Sequence, residues 1–512
     1  MSNAFFDNQM YWYSSWYIIG NMSIKSVSSP WLFPRIRDVL FISIFISVLM
    51  MGQRMLNLDG DLPRHLLLGE YIFEHRIIPT TELFIYPYLG QVFVPHEWLT
   101  NVILHILYSK WQLAGVILFS ALLLSSTFTI LYDRVSKTSD LRLPTLVLVA
   151  WGAGATSVNW AARPHIVSMF LLVIWLIWVD DLRRNENLKI WRFPVLMLIW
   201  SNLHGEFIAG ILVLIAYAAG WTLDYVIDRP NANLRIGKKT WLALILSIFA
   251  SLANPGGIGP WVVILGFQNN QYLISHIAET NPPIIQNADL HVFWGLLIMS
   301  IFLLGIKKVN IPTGKVFLLT GFSLMGLAAI RNIHLFGIVA PFVLSETLVE
   351  TRNVPLLAKL ESGIRTVETR INGIFWITLS TIVLVSTVLL DNTFRGWYQF
   401  KEPTFPIQAV EWLKGNPQQG NMFNDLNWGG YISLQLWPDQ RPFIDSLADT
   451  TGDVTRKYET VITLSDGWEE IIQMYDIAQI IVPTQSALAR ELISQGWKIV
   501  YQDEVAIILV AP

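Results

Sequence analysis

Apolar runs dominate this chain and recur from residue 38 to residue 390. Eleven of them approach the length that crosses a hydrocarbon layer of about 30 Å, which takes about 20 helical residues. Several are shorter, so those helices must extend into their polar flanks. The pattern predicts an α-helical polytopic membrane protein with about 11 transmembrane helices. The runs are 38–56, 112–132, 143–158, 165–181, 193–204, 207–227, 241–253, 291–306, 315–330, 334–349 and 372–390.

Composition excludes several classes of protein. Hydrophobic residues make up 53% of the 512 residues and charged residues only 14%, whereas soluble domains carry about 25% charged residues. We therefore expect membrane lipids around most of the chain. The formal net charge of -3 argues against nucleic acid as a partner, and the absence of cysteine excludes disulfides, thiolate metal sites and a cysteine nucleophile.

The distribution of basic residues predicts the orientation in the membrane. Short cytoplasmic loops collect Lys and Arg. With the N-terminus inside, the cytoplasmic segments hold 21 of the 35 Lys and Arg residues, the outer loops hold 6, and the C-terminal region holds 8. The stretch Trp98 to Tyr108 is therefore interpreted as a juxtamembrane helix, because a twelfth span there would invert every later loop. We expect a multi-pass protein of the plasma (inner) membrane, with a cytoplasmic N-terminus and an extracytoplasmic C-terminal region.

The chain divides into three predicted parts. Residues 1–37 form an N-terminal cytoplasmic or interfacial segment, in which Tyr11 to Ile19 is either an interfacial anchor or disordered. Residues 38–390 form the transmembrane domain, with a long first outer loop at 57–97. Residues 391–512, the C-terminal region, are predicted to form an extracytoplasmic α/β domain.

The α/β prediction for the C-terminal region rests on strands that alternate with helical stretches. Short apolar runs at 441–445, 478–482, 498–501 and 505–510 are interpreted as strands. Trp428 to Tyr431 is interpreted as a strand-to-helix turn, or else as a segment that contacts a ligand above the membrane.

Polar clusters interrupt the apolar pattern only on the predicted outer side. All nine His residues lie on outer loops or at the outer ends of helices. Ionisable groups at membrane depth are costly and usually face a cavity or a partner, so the clusters predict one shared outer cavity. Capping of helix ends is the alternative explanation. The clusters contain Asp59, Asp61, Arg64 and His65; His96 and Glu97; Asn159, Arg163 and His165; Asn202, His204 and Glu206; Asn254 to Gly257; and Arg331, Asn332 and His334.

The first outer loop carries a characteristic order of elements. The acidic pair Asp59 and Asp61 follows the first span, an amphipathic helix runs from Leu62 to His75, and Ile78-Pro79 comes next. His96-Glu97-Trp98-Leu99 then leads into the following helix.

This order resembles the first extracytoplasmic loop of the type C glycosyltransferase superfamily, whose members use polyprenyl-phosphate-linked sugars. It is similar in particular to the bacterial branch with protein O-mannosyltransferases and lipid A aminoarabinose transferases. The number of spans and the orientation match that family too. Family members often pair an aspartate with an adjacent glutamate, whereas Leu62 follows Asp61 here. The second carboxylate is therefore Asp59, or there is none.

The resemblance implies a membrane glycosyltransferase. Such an enzyme moves a sugar from a polyprenyl-phosphate donor to a hydroxyl of a lipid, glycan or protein acceptor on the extracytoplasmic face. The expected catalytic residue is Asp61, with Asp59 second. Helical spacing predicts that Asp61 lies beside Arg64 and His65, although Asp61 could instead cap the helix.

The donor phosphate needs cationic or hydrogen-bonding ligands. Arg163 and Arg331 are the strongest candidates because a guanidinium matches phosphate geometry and stays charged. Their alternative role is to anchor helix ends to headgroups. The full predicted set for the donor phosphate and substrate is Arg64, His65, His96, Glu97, Arg163, His165, His204, Glu206, Arg331 and His334.

The spacing of the histidines matches no metal-binding motif. We therefore predict no metal and no other cofactor, while a divalent metal held by histidines with Asp61 and Glu206 stays an open alternative. Two rival functions also stay open. A lipid or sugar transporter or flippase would more often show internal repeats, and none is visible. A non-catalytic membrane binding protein would share the same polar clusters.

The orientation generates the first prediction. A reporter enzyme that is active only in the periplasm should be active when fused after Asp391 and silent when fused after Lys239, because these points lie on opposite sides of the predicted membrane. The opposite pattern would overturn both the orientation and the outer cavity.

Overall fold

The computed structural model describes residues 33–184, 189–229, 233–305, 311–349, 352, 354–368, 375–446 and 452–512. The segment Tyr11 to Ile19 lies outside these described residues. Helices account for most of the described chain up to residue 390. They are α1 (Ile36–Leu56), α2 (Asp61–His75), α3 (Trp98–Ser139), α4 (Leu143–Thr156), α5 (His165–Arg183), α6 (Arg192–Leu203), α7 (Phe207–Val226), α8 (Leu234–Ser251), α9 (Gly259–Asn269), α10 (Gln271–His276), α11 (His291–Gly305), α12 (Thr313–Ala328), α13 (Ile333–Leu348), α14 (Pro355–Glu368) and α15 (Phe375–Leu390).

Each of the eleven apolar runs coincides with a helix. Among the described residues, five helices are long and apolar enough to cross a membrane: α1, α3, α5, α7 and α11 with the short turn before it. Three shorter apolar helices, at α4, α12 and α15, add to them. The chain is therefore mostly helical with several membrane-crossing helices, and the number eleven stays a prediction.

The outer loop between α8 and α11 contains helices that the apolar pattern did not predict. α9 has 11 residues, or about 16 Å at 1.5 Å per residue, which is too short to cross a membrane. α10 follows it with 6 residues.

Helix α3 contains a break that separates its first turns from the longer apolar segment that follows. Its 42 residues are interrupted at Gln112, whose backbone (φ 54°, ψ -154°) is not helical. The part before Gln112 packs against α2. The stretch from Trp98 to Tyr108 is therefore helical and distinct from the apolar segment after it, as predicted.

Helix α13 lies at the centre of the bundle. Fourteen of its sixteen residues are buried, and α4, α12, α3 and α11 pack around it. A helix that is apolar on every side either lies among other helices or faces lipid, and the burial of α13 places it in the first group. Its first turn carries His334, which thereby reaches the candidate site from the middle of the bundle.

A buried ionic cluster connects α3, α5, α12 and α13 at the end of the bundle away from His334. Asp180 on α5 accepts a hydrogen bond from Arg134 on α3 at 2.6 Å and lies 3.4 Å from Lys315 on α12. Lys315 also donates to Glu346 on α13 at 2.8 Å. The side chains of Asp180 and Lys315 are completely buried. Buried charges must be paired, so this end of the bundle is held by mutual neutralisation.

The C-terminal region contains a mixed four-stranded sheet with helices around it. The strand order is β1-β2-β4-β3; β1 pairs with β2 in parallel, and the other two pairings are antiparallel. Two apolar cores lie on the two sides of the sheet. The elements are α16 (Asn392–Trp397), α17 (Ile407–Gly415), β1 (Asn421–Asn424), α18 (Gly429–Leu436), α19 (Asp453–Ile462), α20 (Trp468–Met474), β2 (Ile477–Pro483), α21 (Ala487–Ser494), β3 (Lys498–Gln502) and β4 (Ala506–Val510).

Three of the four predicted strand runs, 478–482, 498–501 and 505–510, fall on β2, β3 and β4. The prediction of a strand at 441–445 is wrong. Its amides at Phe443 and Ile444 lie against the side chain of Asn424 rather than in the sheet, and Pro442 has no amide to donate. The turn between β1 and α18 ends at Trp428, and Gly429 to Tyr431 form the first turn of α18, so the predicted strand-to-helix turn lies at the start of this segment.

The ionic cluster generates a stability prediction. Asp180→Asn should lower the free energy of unfolding by about 3 to 5 kcal/mol, because loss of one buried partner leaves uncompensated charge. The matched control is Asp133→Asn, since Asp133 is 47% exposed and pairs with Arg37, and such a pair contributes about 1 kcal/mol or less. Thermal unfolding in detergent measures both. Equal melting temperatures for the two variants would contradict a structural role for the cluster.

Candidate active site at one end of the helical bundle

Arg163 gathers three carboxylates at the end of the bundle opposite the ionic cluster. It lies in the turn that precedes α5. Its terminal nitrogens form ion pairs with Asp59, with Asp61 at 3.1 Å and with Glu279 at 3.2 Å. We call Asp59, Gly60 and Asp61 the acidic segment. Three negative charges against one guanidinium leave this group with net negative charge.

Asp61 is the first residue of α2, and its carboxylate does not cap that helix. The cap position is Gly60, and the amide of Asp61 donates to Asp59 Oδ1 at 3.0 Å. The alternative that Asp61 is only a cap is therefore wrong for this structure. Asp59 takes part in that turn, and its other oxygen meets Arg163.

Burial raises the pKa of Asp61 to about 7, well above its ordinary value. Arg163 opposes this shift, while the negative charges of Asp59 and Glu279 reinforce it, and Ser446 of the C-terminal region donates a hydrogen bond to the carboxylate. Asp61 is thus balanced between its protonated and ionised forms near neutral pH.

The expectation that Asp61 lies beside Arg64 and His65 is wrong. Arg64 points away from it into a buried pocket, where it donates to both oxygens of Glu82 at 2.8 and 2.7 Å and lies 3.2 Å from Asp445. Burial lowers the pKa of His65 to about 4 against the opposing effect of Glu97, so His65 is neutral at neutral pH. The side chains of Asp61 and Arg64 point in different directions because Arg64 pairs with Glu82 and Asp445, which lie in other parts of the chain.

Glu97 collects three histidines at the start of α3. Its oxygens lie 3.1 Å from His204 Nε2, 3.6 Å from His96 Nε2 and 3.7 Å from His65 Nδ1. Burial alone would raise the pKa of Glu97, but the neighbouring imidazoles hold it below its ordinary value. Glu97 therefore stays ionised and orients the three rings.

A hydrogen-bonded chain sets the proton position on His204. Trp200 Nε1 donates to Ser168 Oγ at 2.8 Å, which leaves the hydroxyl proton of Ser168 for His204 Nδ1 at 2.8 Å. The backbone amide of Glu206 also points at Nδ1, at 3.3 Å. Because Nδ1 accepts, Nε2 carries the proton that faces Glu97.

Two more histidines complete a group that we call the histidine cluster. His334 Nε2 lies 3.0 Å from Glu206 Oε1, and the His165 ring lies 5.6 Å from that of His334 and 6.4 Å from that of His204. The cluster thus joins the ends of six helices or loops at one end of the bundle. Its members are His65, His96, Glu97, His165, His204, Glu206 and His334.

Arg331 differs from Arg163 in having its guanidinium accessible. The residue is exposed and its guanidinium carbon lies 5.2 Å from the centre of the Phe267 ring on α9. Within the described ranges Arg331 forms no ion pair. It retains its full charge for an anionic ligand, whereas the terminal nitrogens of Arg163 are occupied.

The His, Asp and Glu side chains near the site are potential metal ligands. In the part of the chain that the structure describes, no group of three or more His, Asp and Glu side chains has an arrangement that could hold a metal ion. The carboxylates that do come together surround Arg163. The prediction of no cofactor stays a prediction, and so does its metal alternative.

Four residues of the site were not predicted from the sequence: Glu279, Glu82, Asp445 and Ser168. Glu279 is one of only two acidic residues in the outer loop from 254 to 290, which is the signal that could have singled it out. The other three owe their roles to contacts with distant residues, and nothing in their local sequence indicates them.

No family model matches the sequence, and no curated protein matches it. The structure is similar to the oligosaccharyltransferase of Archaeoglobus fulgidus, solved in the apo form and tethered through a disulfide to an acceptor peptide with the NVT sequon. Both superpose with a TM-score of 0.54 over 86% of this chain and 69% of that chain, at 12% and 11% sequence identity.

A further solved structure, ArnT from Cupriavidus metallidurans bound to undecaprenyl phosphate, has a TM-score of 0.45 and 12% identity over 95% of this chain and 100% of that chain. The similarity to the oligosaccharyltransferase is a similarity of fold. It confirms the fold that the first outer loop predicted. The chain has the type C glycosyltransferase fold.

Proposed function

We propose that this protein is an integral-membrane glycosyltransferase that moves a sugar from a polyprenyl-phosphate donor to an acceptor hydroxyl on the extracytoplasmic face. The observation that carries the proposal is Asp61, a buried carboxylate with a pKa of about 7, held by Arg163 in a type C glycosyltransferase fold. The acceptor is a lipid, a glycan or a protein. The structurally similar oligosaccharyltransferase of Archaeoglobus fulgidus was solved tethered to an acceptor peptide.

Asp61 acts as the catalytic base. It takes the proton of the acceptor hydroxyl as the oxygen attacks the anomeric carbon, while the bond from that carbon to the phosphate oxygen breaks and polyprenyl phosphate leaves. A base works best when its pKa lies near the working pH, and burial gives Asp61 such a pKa. Asp59 and Arg163 orient the Asp61 carboxylate.

Arg331 and the histidine cluster bind the donor phosphate. An exposed guanidinium can neutralise the leaving phosphate, and the imidazoles of the cluster can donate hydrogen bonds to it. Arg163 was expected in the same role, but its three carboxylate partners favour a positioning role instead. Within the cluster, His65 is buried against Glu97 and supports the other members, whereas His96 is 29% exposed and accessible to a ligand. Arg64 lies outside the cluster and is committed to Glu82 and Asp445.

The proposed location is the inner membrane, with the site outside. Helix α5 starts with His165 at the candidate site and ends at Arg183 in the ionic cluster. Its 19 residues span about 28 Å, close to the thickness of the hydrocarbon layer. The basic residues Arg183 and Arg184 at the end of α5 favour the cytoplasmic side for that end of the bundle. The C-terminal region then lies on the extracytoplasmic side.

Asp61→Asn should lose transfer by about 100- to 10,000-fold, the usual contribution of a general base, with donor binding retained. Transfer is measured with purified protein and a panel of radiolabelled polyprenyl-phosphate sugars at saturating donor. In the wild-type protein, kcat/KM should rise as the pH increases through about 7, because Asp61 ionises in this range.

The matched control for this substitution is Asp59→Asn, which should lose less turnover because Asp59 does not contact the acceptor. Normal transfer by a folded Asp61→Asn variant would refute the assignment of the base.

Arg331→Gln should raise the donor KM by about 10- to 100-fold, because one charge-assisted contact with phosphate is worth about 1.5 to 3 kcal/mol. Arg331→Lys should fall between this variant and the wild type, since Lys keeps the charge but loses the planar fork. Lys110→Gln is the control, because Lys110 is an exposed basic residue of α3, just before the break at Gln112. The same donor KM in Arg331→Gln and Lys110→Gln would assign Arg331 to general attraction of headgroups.

A further inference from the structure

The acidic segment lies directly beneath the turn that starts α18 in the C-terminal region. A Cβ atom on Gly430 would lie 2.6 Å from the carbonyl oxygen of Gly60 and 3.3 Å from Arg64, and a Cβ atom on Gly60 would overlap the backbone of Asn427. Only glycine fits at Gly60 and Gly430. The backbones of two segments 370 residues apart in sequence therefore touch one residue before the proposed base.

A buried ion pair strengthens this contact. Arg64, on the first turn of α2, lies between Glu82 of the first outer loop and Asp445 of the C-terminal region, and the side chains of all three are at most 3% exposed. The Arg64 guanidinium also stacks on Phe84, with 4.1 Å to the ring centre. Loss of Arg64 would leave two buried carboxylates without a cation, and loss of Asp445 would remove the ion pair that crosses between the two segments.

Two hydrogen bonds to backbone carbonyls extend the same contact. Arg441 Nε donates to the carbonyl of Leu83 at 3.0 Å, and the amide of Tyr86 donates to the carbonyl of Pro442 at 3.3 Å. Segment 441–445 thus runs along the first outer loop, which explains why it is not a strand of the sheet. The next residue, Ser446, is the one whose hydroxyl reaches Asp61.

We propose that the C-terminal region is a positioning element of the active site, which fixes and shields Asp61 through the close approach of Gly60 and Gly430 and the Arg64 pairs with Asp445 and Glu82. We call this set of contacts the docking contact. The inference rests on the proposed function and deepens it, because it assigns a catalytic contribution to residues that do not touch substrate. Arg64, Gly430 and Asp445 are positioning residues.

The docking contact also controls the ionisation of Asp61. The groups that face this carboxylate are Arg163, Asp59 and Glu279 from the membrane domain and the Ser446 hydroxyl from the C-terminal region. Burial is the main cause of its raised pKa. If the C-terminal region shifts away, water reaches Asp61, its pKa falls towards the ordinary value, and it ionises at lower pH.

The test compares Gly430→Ala with Gly415→Ala in the full-length protein. Gly415 also lies in the C-terminal region, but a Cβ atom there meets nothing within 4 Å. Gly430→Ala should lower turnover at saturating donor by about 10- to 100-fold, the scale of a displacement of about 1 Å, with the donor KM unchanged. The acidic limb of its kcat/KM profile should move to lower pH, whereas Gly415→Ala should match the wild type in every respect.

A readout that needs no activity uses the absence of cysteine from the chain. Asp61→Cys places a single thiol in the acidic segment, and its rate of labelling by a water-soluble maleimide reports access. Adding Gly430→Ala should increase that rate about tenfold, since a shielded site becomes open, and adding Gly415→Ala should not. Asp445→Asn is a second docking variant that keeps the side-chain shape, and it should change turnover and labelling in the same direction as Gly430→Ala.

The outcomes separate the two proposals. Faster labelling in the docking variants, with no transfer by the wild-type protein from any donor, would overturn the proposed function and leave the docking contact standing. Unchanged labelling, turnover and pH profile in folded Gly430→Ala and Asp445→Asn would overturn the docking inference and leave the proposed function standing.

Discussion

Burial of charge governs both ends of this helical bundle. Asp180 and Lys315 are completely buried at one end, and Asp61 is largely buried at the other. A charge removed from water is tolerated when opposite charges and hydrogen bonds replace the water. The end that holds Asp180 satisfies this condition with several cations around it. The end that holds Asp61 satisfies this condition incompletely, because one guanidinium, that of Arg163, faces three carboxylates.

Two arginines illustrate how this condition divides structural from functional roles. Arg64 has its charge neutralised by Glu82 and Asp445 in a dry pocket, which suits it to hold two parts of the chain together. Arg331 keeps its charge exposed beside an aromatic ring, which suits it to an anionic ligand. The two residues are chemically identical, so their surroundings alone decide which role each one takes.

The histidines follow the same logic. Glu97 holds three of them in fixed orientations, and the chain from Trp200 through Ser168 sets the proton on His204. Such preorganisation matters for catalysis, since groups that are already oriented need not rearrange as charge develops on a leaving group. The arrangement needs contributions from α3, α5, α6 and α13 at once. The bundle therefore acts as the scaffold that brings short polar segments to one level.

The sequence alone determined the helices, the order of the polar clusters and the type C glycosyltransferase fold. Apolar runs specify helices because a backbone without water must bond internally, and that information is local. The pairing of side chains is not local. Helical spacing predicted that Arg64 lies next to Asp61. In the structure Arg64 instead pairs with Asp445, which lies 381 positions later, and Arg163 is the arginine that pairs with Asp61. The run at 441–445 has the composition of a strand, yet it lies against the first outer loop. Only the tertiary structure could decide these outcomes, because a buried charge takes whichever partner the packed chain brings within reach.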